Sequence, residues 1–362
     1  EALKDASLTD FEYWERVASY REAYRARVRL FFSGDEVSLD AATLLDFLGR
    51  ATKKLEKGIE KSLAYTDGVI MPTYFQHVVT AYEYTGLKNF VGQPFVRATA
   101  FEAKVFPLFL EGPVRQLKTV PRADGVQLKK IHDAVLASPL YDEPIGQYKI
   151  CESLEGQPFE MGRMMAFTPG WLENESIWLH MSFKYYLELL RAGLYEDFWT
   201  AMATGAPYNM DVETYGRSPL ECGSFIVSSA YPDEELWGTS YLARLSGSTA
   251  EFLSIWLLVF AGPAPFTLGD GGGLELALRP AVPAKLFKDD GTVTFTFLGG
   301  VEVTYVNPSR ADSWTLEVVK MELLASKDDD GAKTTVDGPA LTGAAAEAVR
   351  NLQYEAVRVY LE

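Results

Sequence analysis

Hydrophobic positions in the first part of the chain recur at helical spacing. Phe11 to Phe32 reads as a helix rich in arginine and aromatic residues, ended where Ser33-Gly34 offers the left-handed conformation that stops a helix. Over Asp40 to Tyr65, the residues Leu44, Leu45, Phe47, Leu48, Leu55, Ile59 and Leu63 form an apolar stripe with Lys and Glu opposite, which predicts a second helix. Thr66-Asp67-Gly68 then turns the chain into an irregular segment containing Pro72, and a short helix is expected from His77 to Tyr84. Asn89 to Tyr148 is mixed: Phe95 to Leu110 is apolar and interrupted by Pro94 and Pro107, Gln127 to Ala137 predicts a helix, and Pro139 and Pro144 break the chain after it.

The pattern changes at Ile177 to Leu190, where nearly every helical face is apolar or aromatic, the signature of a helix buried among others. On this reading His180 lies two turns into the helix. Tyr195 to Thr204 continues as another helix that Gly205-Ala206-Pro207 ends, and a loop-rich stretch from Tyr208 leads to Ser246-Gly247-Ser248-Thr249, just ahead of the apolar helix Ala250 to Phe260. Beyond Gly262 the composition turns to Gly and Pro and then to alternating, β-branched runs. Strands are expected at Leu274–Leu278, Val293–Phe297, Val301–Tyr305 and Trp314–Val319, an exposed acidic turn at Asp328 to Lys333, a helix at Leu341 to Leu352 and a closing strand at Tyr354 to Tyr360. The expected organisation is therefore mainly α followed by β: residues 1–262 helical and residues 263–362 a β domain.

Composition narrows what such a chain can do. At 362 residues, 48% of them hydrophobic, it can bury a sizeable core, and its 13% aromatic content suits either an aromatic core or sugar stacking. The net charge of −16 argues against nucleic acid or anionic membrane as a partner, because both need clustered Lys and Arg. No apolar run approaches the roughly 20 residues that span a bilayer. Two cysteines, Cys151 and Cys222, lack metal-ligand spacing and fit a reducing, cytoplasmic location, and three histidines are too few to suggest a His-based metal site, so no metal or organic cofactor is expected. Glu1 carries no leader pattern and no initiator Met, which reads as an excised or processed piece.

The candidate chemistry lies in Trp171-Leu172-Glu173-Asn174-Glu175-Ser176-Ile177-Trp178-Leu179-His180 and in Ser246-Gly247-Ser248-Thr249. His180 is either a hydrogen-bonded core histidine or a ligand for an anion, since an imidazole in apolar surroundings needs a partner. Glu173 and Glu175 are either carboxylates favoured by a helix N-terminus or site residues. The Ser246 run is either a helix cap or an anion cradle, in which backbone N–H groups converge and Gly247 allows close approach. Glu221 is a loop carboxylate, and Trp171, Trp178 and Trp237 are core aromatics or sugar platforms.

Taken together, Glu173-Asn174, His180 after five intervening residues, Leu245-Ser246-Gly247-Ser248-Thr249-Ala250 some 65 residues on, and a β unit thereafter resemble the C-terminal part of cellobiose-phosphorylase-like enzymes. These are the inverting glycoside phosphorylases of glycoside hydrolase family 94 and the related large β-1,3-glucan phosphorylases. Gly162 through Thr168-Pro169-Gly170-Trp171, and Tyr215-Gly216-Arg217 to Phe225-Ile226, look closest to the large relatives, and the resemblance spans Phe11 to Pro308. It implies part of an (α/α)6 barrel with a C-terminal β-sandwich. It also implies phosphate binding by His180, Ser246 and Gly247, substrate contacts from Trp171, Glu173, Asn174 and Glu221, orthophosphate as co-substrate, and a β-glucan or oligosaccharide as substrate. Phosphate is already a nucleophile, so such a site needs donors for a dianion where an inverting hydrolase needs a second carboxylate base. The family's general-acid aspartate, in an Asp-Trp-Asn-Asp-like segment, has no counterpart in this sequence. The chain then reads as a fragment, as one subunit whose second chain or homo-oligomeric partner supplies the acid, or as a non-catalytic carbohydrate-binding or scaffolding relative. An inverting hydrolase is a further alternative.

Overall fold

The computed structural model describes residues 7–218, 221, 223–242 and 246–362, with the side chains of 246–249 and 329–332 outside that description. The chain forms two compact units, Glu1–Pro113 and Val114–Glu362.

In the first unit, α1 (Asp10–Val28) starts on a capping box: Glu12 N donates to Thr9 Oγ1 at 3.3 Å, and Thr9 N donates to Glu12 Oε2 at 2.9 Å. It stops four residues short of the expected Phe32. Helix α2 (Ala41–Ala64) follows the predicted stripe, with Asp40 accepting from Thr43 N at 2.7 Å. The helix expected at His77 to Tyr84 is instead strand β1 (Phe75–Lys88), which pairs antiparallel with β2 (Pro94–Val105) around an Asn89–Gln93 turn. Val78, Val79, Tyr82 and Tyr84 are residue types that favour a pleated surface, and the remote partner strand settles the conformation. Phe101 of β2 meets Phe11 and Trp14 of α1 edge-on, with centroids 5.2 and 5.4 Å apart.

Helix α3 (Glu111–Thr119) carries the chain into the second unit, where α4 (Gly125–Leu136) covers the predicted Gln127 helix. Short strands β3 (Tyr141–Asp142) and β4 (Gln147–Tyr148) form a hairpin, and β5 (Ile177–Trp178) leads directly into α5 (Leu179–Arg191). Next come α6 (Tyr195–Gly205), the single turn α7 (Val212–Tyr215), β6 (Phe225–Ile226), β7 (Ser240–Tyr241) and α8 (Ser246–Ala261). Helix α5 is buried almost throughout, as its pattern predicts: Phe183, Tyr185 and Leu189 are fully enclosed, and Tyr185 packs on Tyr148 at 4.7 Å.

The C-terminal strands form two sheets. Strands β8 (Phe266–Leu268), β9 (Leu274–Leu276) and β14 (Leu341–Thr342) make an antiparallel sheet in the order β14-β9-β8. Strands β10 (Thr292–Phe297), β11 (Val301–Val306), β12 (Val318–Ser326), β13 (Asp329–Asp337) and β15 (Ala356–Leu361) make a mixed sheet in the order β10-β11-β15-β12-β13, with β11 and β15 parallel. The Asp328 to Lys333 acidic turn is thus largely strand, and Trp314 belongs to a single helical turn ahead of β12. Helix α9 (Ala344–Arg350) is the predicted Leu341 helix shortened by β14. Gly262 lies inside this unit, and side chains join the flanking parts: Phe260 stacks on Phe295 at 5.0 Å, and Trp199 Nε1 donates to Ala281 O at 2.9 Å.

The expectation of part of an (α/α)6 barrel followed by a β-sandwich is corrected here. No barrel is formed among the described residues, whose secondary structure is about 38% helix and 23% strand with several small sheets. The β1–β2 hairpin, the β3–β4 hairpin and the β5-β6-β7 sheet all precede Gly262 and interrupt any run of paired helices. The strands responsible are mostly two residues long, too short to leave a periodic signal.

Candidate functional site

The Trp171–His180 segment is a tight turn followed by a strand and a helix start. Leu172 and Glu175 both take positive φ (50° and 56°), and the Leu172 carbonyl accepts from Trp178 Nε1 at 2.7 Å and from Ser176 Oγ. Gly170, at φ 82°, passes so close to Tyr231 that an added Cβ would lie 2.4 Å from its backbone nitrogen, so only glycine fits. Ile177 and Trp178 pair with Ile226 and Phe225 as extended chain. His180 therefore stands in the first turn of α5 and not two turns in. The remote β6 partner overrides the helical pattern of Ile177-Trp178.

The expected site residues separate into two groups. Glu173, Glu221 and Trp171 are engaged by the fold. Glu173 forms an ion pair with both Nε and Nη2 of Arg163, the former at 2.8 Å, and Glu221 pairs with Arg217 Nη1 at 2.5 Å. Trp171 is held in an aromatic cluster with Tyr241 (4.7 Å), Phe225 (5.2 Å) and Tyr231 (5.6 Å), the arrangement of a core aromatic. Asn174 and His180 make the second group. Asn174 is buried, donates Nδ2 to Phe167 O at 2.8 Å, and holds a buried Oδ1 that accepts no hydrogen bond. His180 is half-buried beside Trp178, edge-on at 5.5 Å, with Nδ1 enclosed. Lys184, four residues further, is on the same helix face and forms no ion pair among the described residues.

Ser246 and Gly247 open α8, so the Ser246–Thr249 run is the helix's first turn and not a loop ahead of it; their side chains lie outside the described residues. Phe183 of α5 meets Phe252 of α8 at 5.2 Å, which sets the N-terminal halves of the two helices against each other. The first turn of a helix carries N–H groups without intrahelical partners and partial positive charge. One turn into α8, a Glu251 carboxylate oxygen is buried without a hydrogen-bond partner.

A scan of protein-family models finds none that matches this chain, and a search of curated proteins finds no similar one. Among the described residues no helix is long and apolar enough to cross a membrane, and no group of three or more His, Cys, Asp or Glu is placed to hold a metal.

Two features had no signal in the sequence. Lys149 and Glu175 form a buried ion pair at 2.9 Å, with Glu175 N also donating to Cys151 Sγ at 3.4 Å, and burial pushes the Cys151 thiol up to about 12. Glu175 belongs to the Trp171–His180 segment, but nothing in the sequence points to Lys149 as its partner. The other is a cavity beside the β3–β4 hairpin, whose lining residues come from segments about 90 positions apart.

Proposed function

We propose that the turn from Asn174 to His180, with the first turn of α8, is the phosphate-binding part of an inverting β-glucan phosphorylase. In this reaction an orthophosphate oxygen attacks the anomeric carbon from the face opposite the leaving group. The C–O bond to the acceptor sugar breaks, the C1–O–P bond forms with inversion, and a proton passes from a general acid to the departing oxygen. Glucose 1-phosphate and a shortened acceptor result. His180, Lys184 and the first-turn N–H groups of α8 supply donors for the dianion. Asn174 Oδ1 is an acceptor for a sugar hydroxyl. The acid comes from residues outside this sequence, on a further part of the polypeptide or a partner chain. The observation that supports the reading is the Phe183–Phe252 contact, which packs the N-terminal half of α5, where His180 lies, against the N-terminal half of α8, which Ser246 and Gly247 open.

Charge-assisted hydrogen bonds contribute about 1.5–3 kcal/mol each, so His180→Ala is expected to weaken inorganic phosphate binding roughly tenfold to a hundredfold with little change in melting temperature. Calorimetric titration of phosphate into both proteins, with melting curves alongside, tests this. Equal affinity in the two, or a lowered melting temperature without loss of phosphate, returns His180 to a core role and removes the proposal. Release of glucose 1-phosphate from laminari- or cello-oligosaccharides, with phosphate and the acid-bearing part present, separates phosphorolysis from hydrolysis and from binding alone.

A further inference from the structure

A cavity of about 330 Å³ opens between the β3–β4 hairpin, the end of α6 and α7, and the phosphate reading makes no use of it. Its polar lining is richest in acceptors. Gln147, 3% exposed, donates Nε2 to Thr204 O at 3.0 Å, while its Oε1 is buried and accepts no hydrogen bond. Thr204 Oγ1 spends its proton on Gly146 O, and Asn209 Nδ2 donates to Met202 O at 3.0 Å, which leaves Asn209 Oδ1 as an acceptor. Thr214 N and Oγ1 both donate to Asp211 Oδ2 at 2.8 Å. Those two bonds, the backbone one first, hold the Asp211 carboxyl below its ordinary value and keep it ionised. Trp237 Nε1 is used on Tyr231 O at 2.8 Å, leaving only the ring for a ligand.

Each lining amide thus uses one N–H within the fold and keeps a second, while Gln147 Oε1, Asn209 Oδ1 and the Asp211 carboxylate remain as acceptors. Among the described residues no Lys, Arg or His lines the cavity, and Asp211 adds a negative charge, which disfavours an anion. The acceptors come from two segments, Gln147 on β4 and Asn209 with Asp211 on the connection from α6 to α7, and so stand apart around the cavity. An ammonium group gathers its donors at one point, whereas the hydroxyls of a sugar ring radiate outward and its C–H face packs on an aromatic ring. We propose that this cavity binds one polyhydroxylated ring, a single sugar residue, with Gln147 Oε1, Asn209 Oδ1 and Asp211 accepting from its hydroxyls and Trp237 beside its apolar face. The proposal is independent of phosphate binding at His180.

The test uses the full chain labelled with fluorotryptophan, the Trp237 fluorine resonance being assigned by its absence from Trp237→Phe. Titration with methyl β-D-glucopyranoside is expected to shift that resonance saturably. Gln147→Leu and Asn209→Ala are each expected to raise the half-saturation concentration about tenfold, the loss of one hydrogen bond to the ligand, while His180→Ala leaves it unchanged. Asn209 is exposed, so its variant decides the matter if Gln147→Leu fails to fold. No saturable shift in the wild-type chain, an unaltered titration in Asn209→Ala, or a saturable shift with methylammonium but not with the glucoside would each overturn the proposal.

Discussion

Lys149 and Glu175 keep only 11% and 9% of their side-chain surface exposed, whereas Arg163, which grips Glu173 with two nitrogens, is 78% exposed. The two ion pairs are alike in chemistry and differ in solvent, which decides their energetic weight. An exposed pair contributes about 0–1 kcal/mol, because water and salt screen it and long side chains lose entropy in forming it. Removing one partner of a buried pair strands the other charge and costs about 3–5 kcal/mol. Lys149→Met is therefore expected to destabilise the protein by several kcal/mol, and Arg163→Ala by less than about 1 kcal/mol. Urea unfolding of the two variants measures the difference, and similar losses in both would show that burial does not separate them. The stranded charge in Lys149→Met is Glu175, in the turn that presents Asn174, so the same variant is expected to loosen the candidate site.

At the scale of elements, β12 holds the C-terminal sheet together through one acidic side chain. Glu322, 4% exposed, accepts from Tyr360 Oη of β15 at 2.9 Å, from Lys333 Nζ of β13 at 3.1 Å and from Lys320 Nζ at 3.3 Å. Burial alone would raise its carboxyl pKa, but the hydrogen bonds from Tyr360, Lys333 and Lys320 outweigh it and hold the group below its ordinary value. A carboxyl with a depressed folded pKa contributes stability that is complete above its ordinary value of 4.5 and is lost as pH falls through the folded one. Melting temperature is expected to drop as pH falls below about 4.5, and Glu322→Gln is expected to lower it at neutral pH while flattening that part of the profile. Calorimetric scans across the acid range check this; a variant with an undiminished acid slope would assign the effect elsewhere.

Across the whole molecule, apolar exposure is uneven. In the first unit neither α1 nor α2 has a buried residue, and Leu45, Phe47, Leu55 and Phe90 are between 64% and 100% exposed. In the α2 stripe, whose spacing predicts burial, Leu44, Leu45, Phe47, Leu48 and Leu55 are exposed and only Ile59 and Leu63 are half-buried. Single exposed apolar residues are ordinary, but a helix stripe and a hairpin together are the mark of a surface that meets another chain. The protein is expected to self-associate with rising concentration in sedimentation velocity, and Leu45→Glu with Phe47→Glu to reduce that association without lowering the melting temperature. A monomer at every concentration that also binds no hydrophobic dye would refute it.

Helices α2, α4, α6 and α8 were legible from the chain to within a few residues, because a helix closes its hydrogen bonds between neighbours in sequence and needs only caps and a periodic face to be recognised. The strands after Gly273 were legible where they ran for five or six residues, as in β10 and β11. The His180 motif and the −16 charge are likewise properties of the sequence itself. Tertiary structure decided the rest. Phe75–Lys88 became a strand because Pro94–Val105 lies opposite, and His180 moved to the start of α5 because Ile177-Trp178 found Phe225-Ile226 some 48 residues away. Lys149 reached Glu175, and the acceptors of the β3–β4 cavity converged, only through folding. A strand, an ion pair and a cavity wall each depend on a partner remote in the chain, and local periodicity carries no record of which partner it will be.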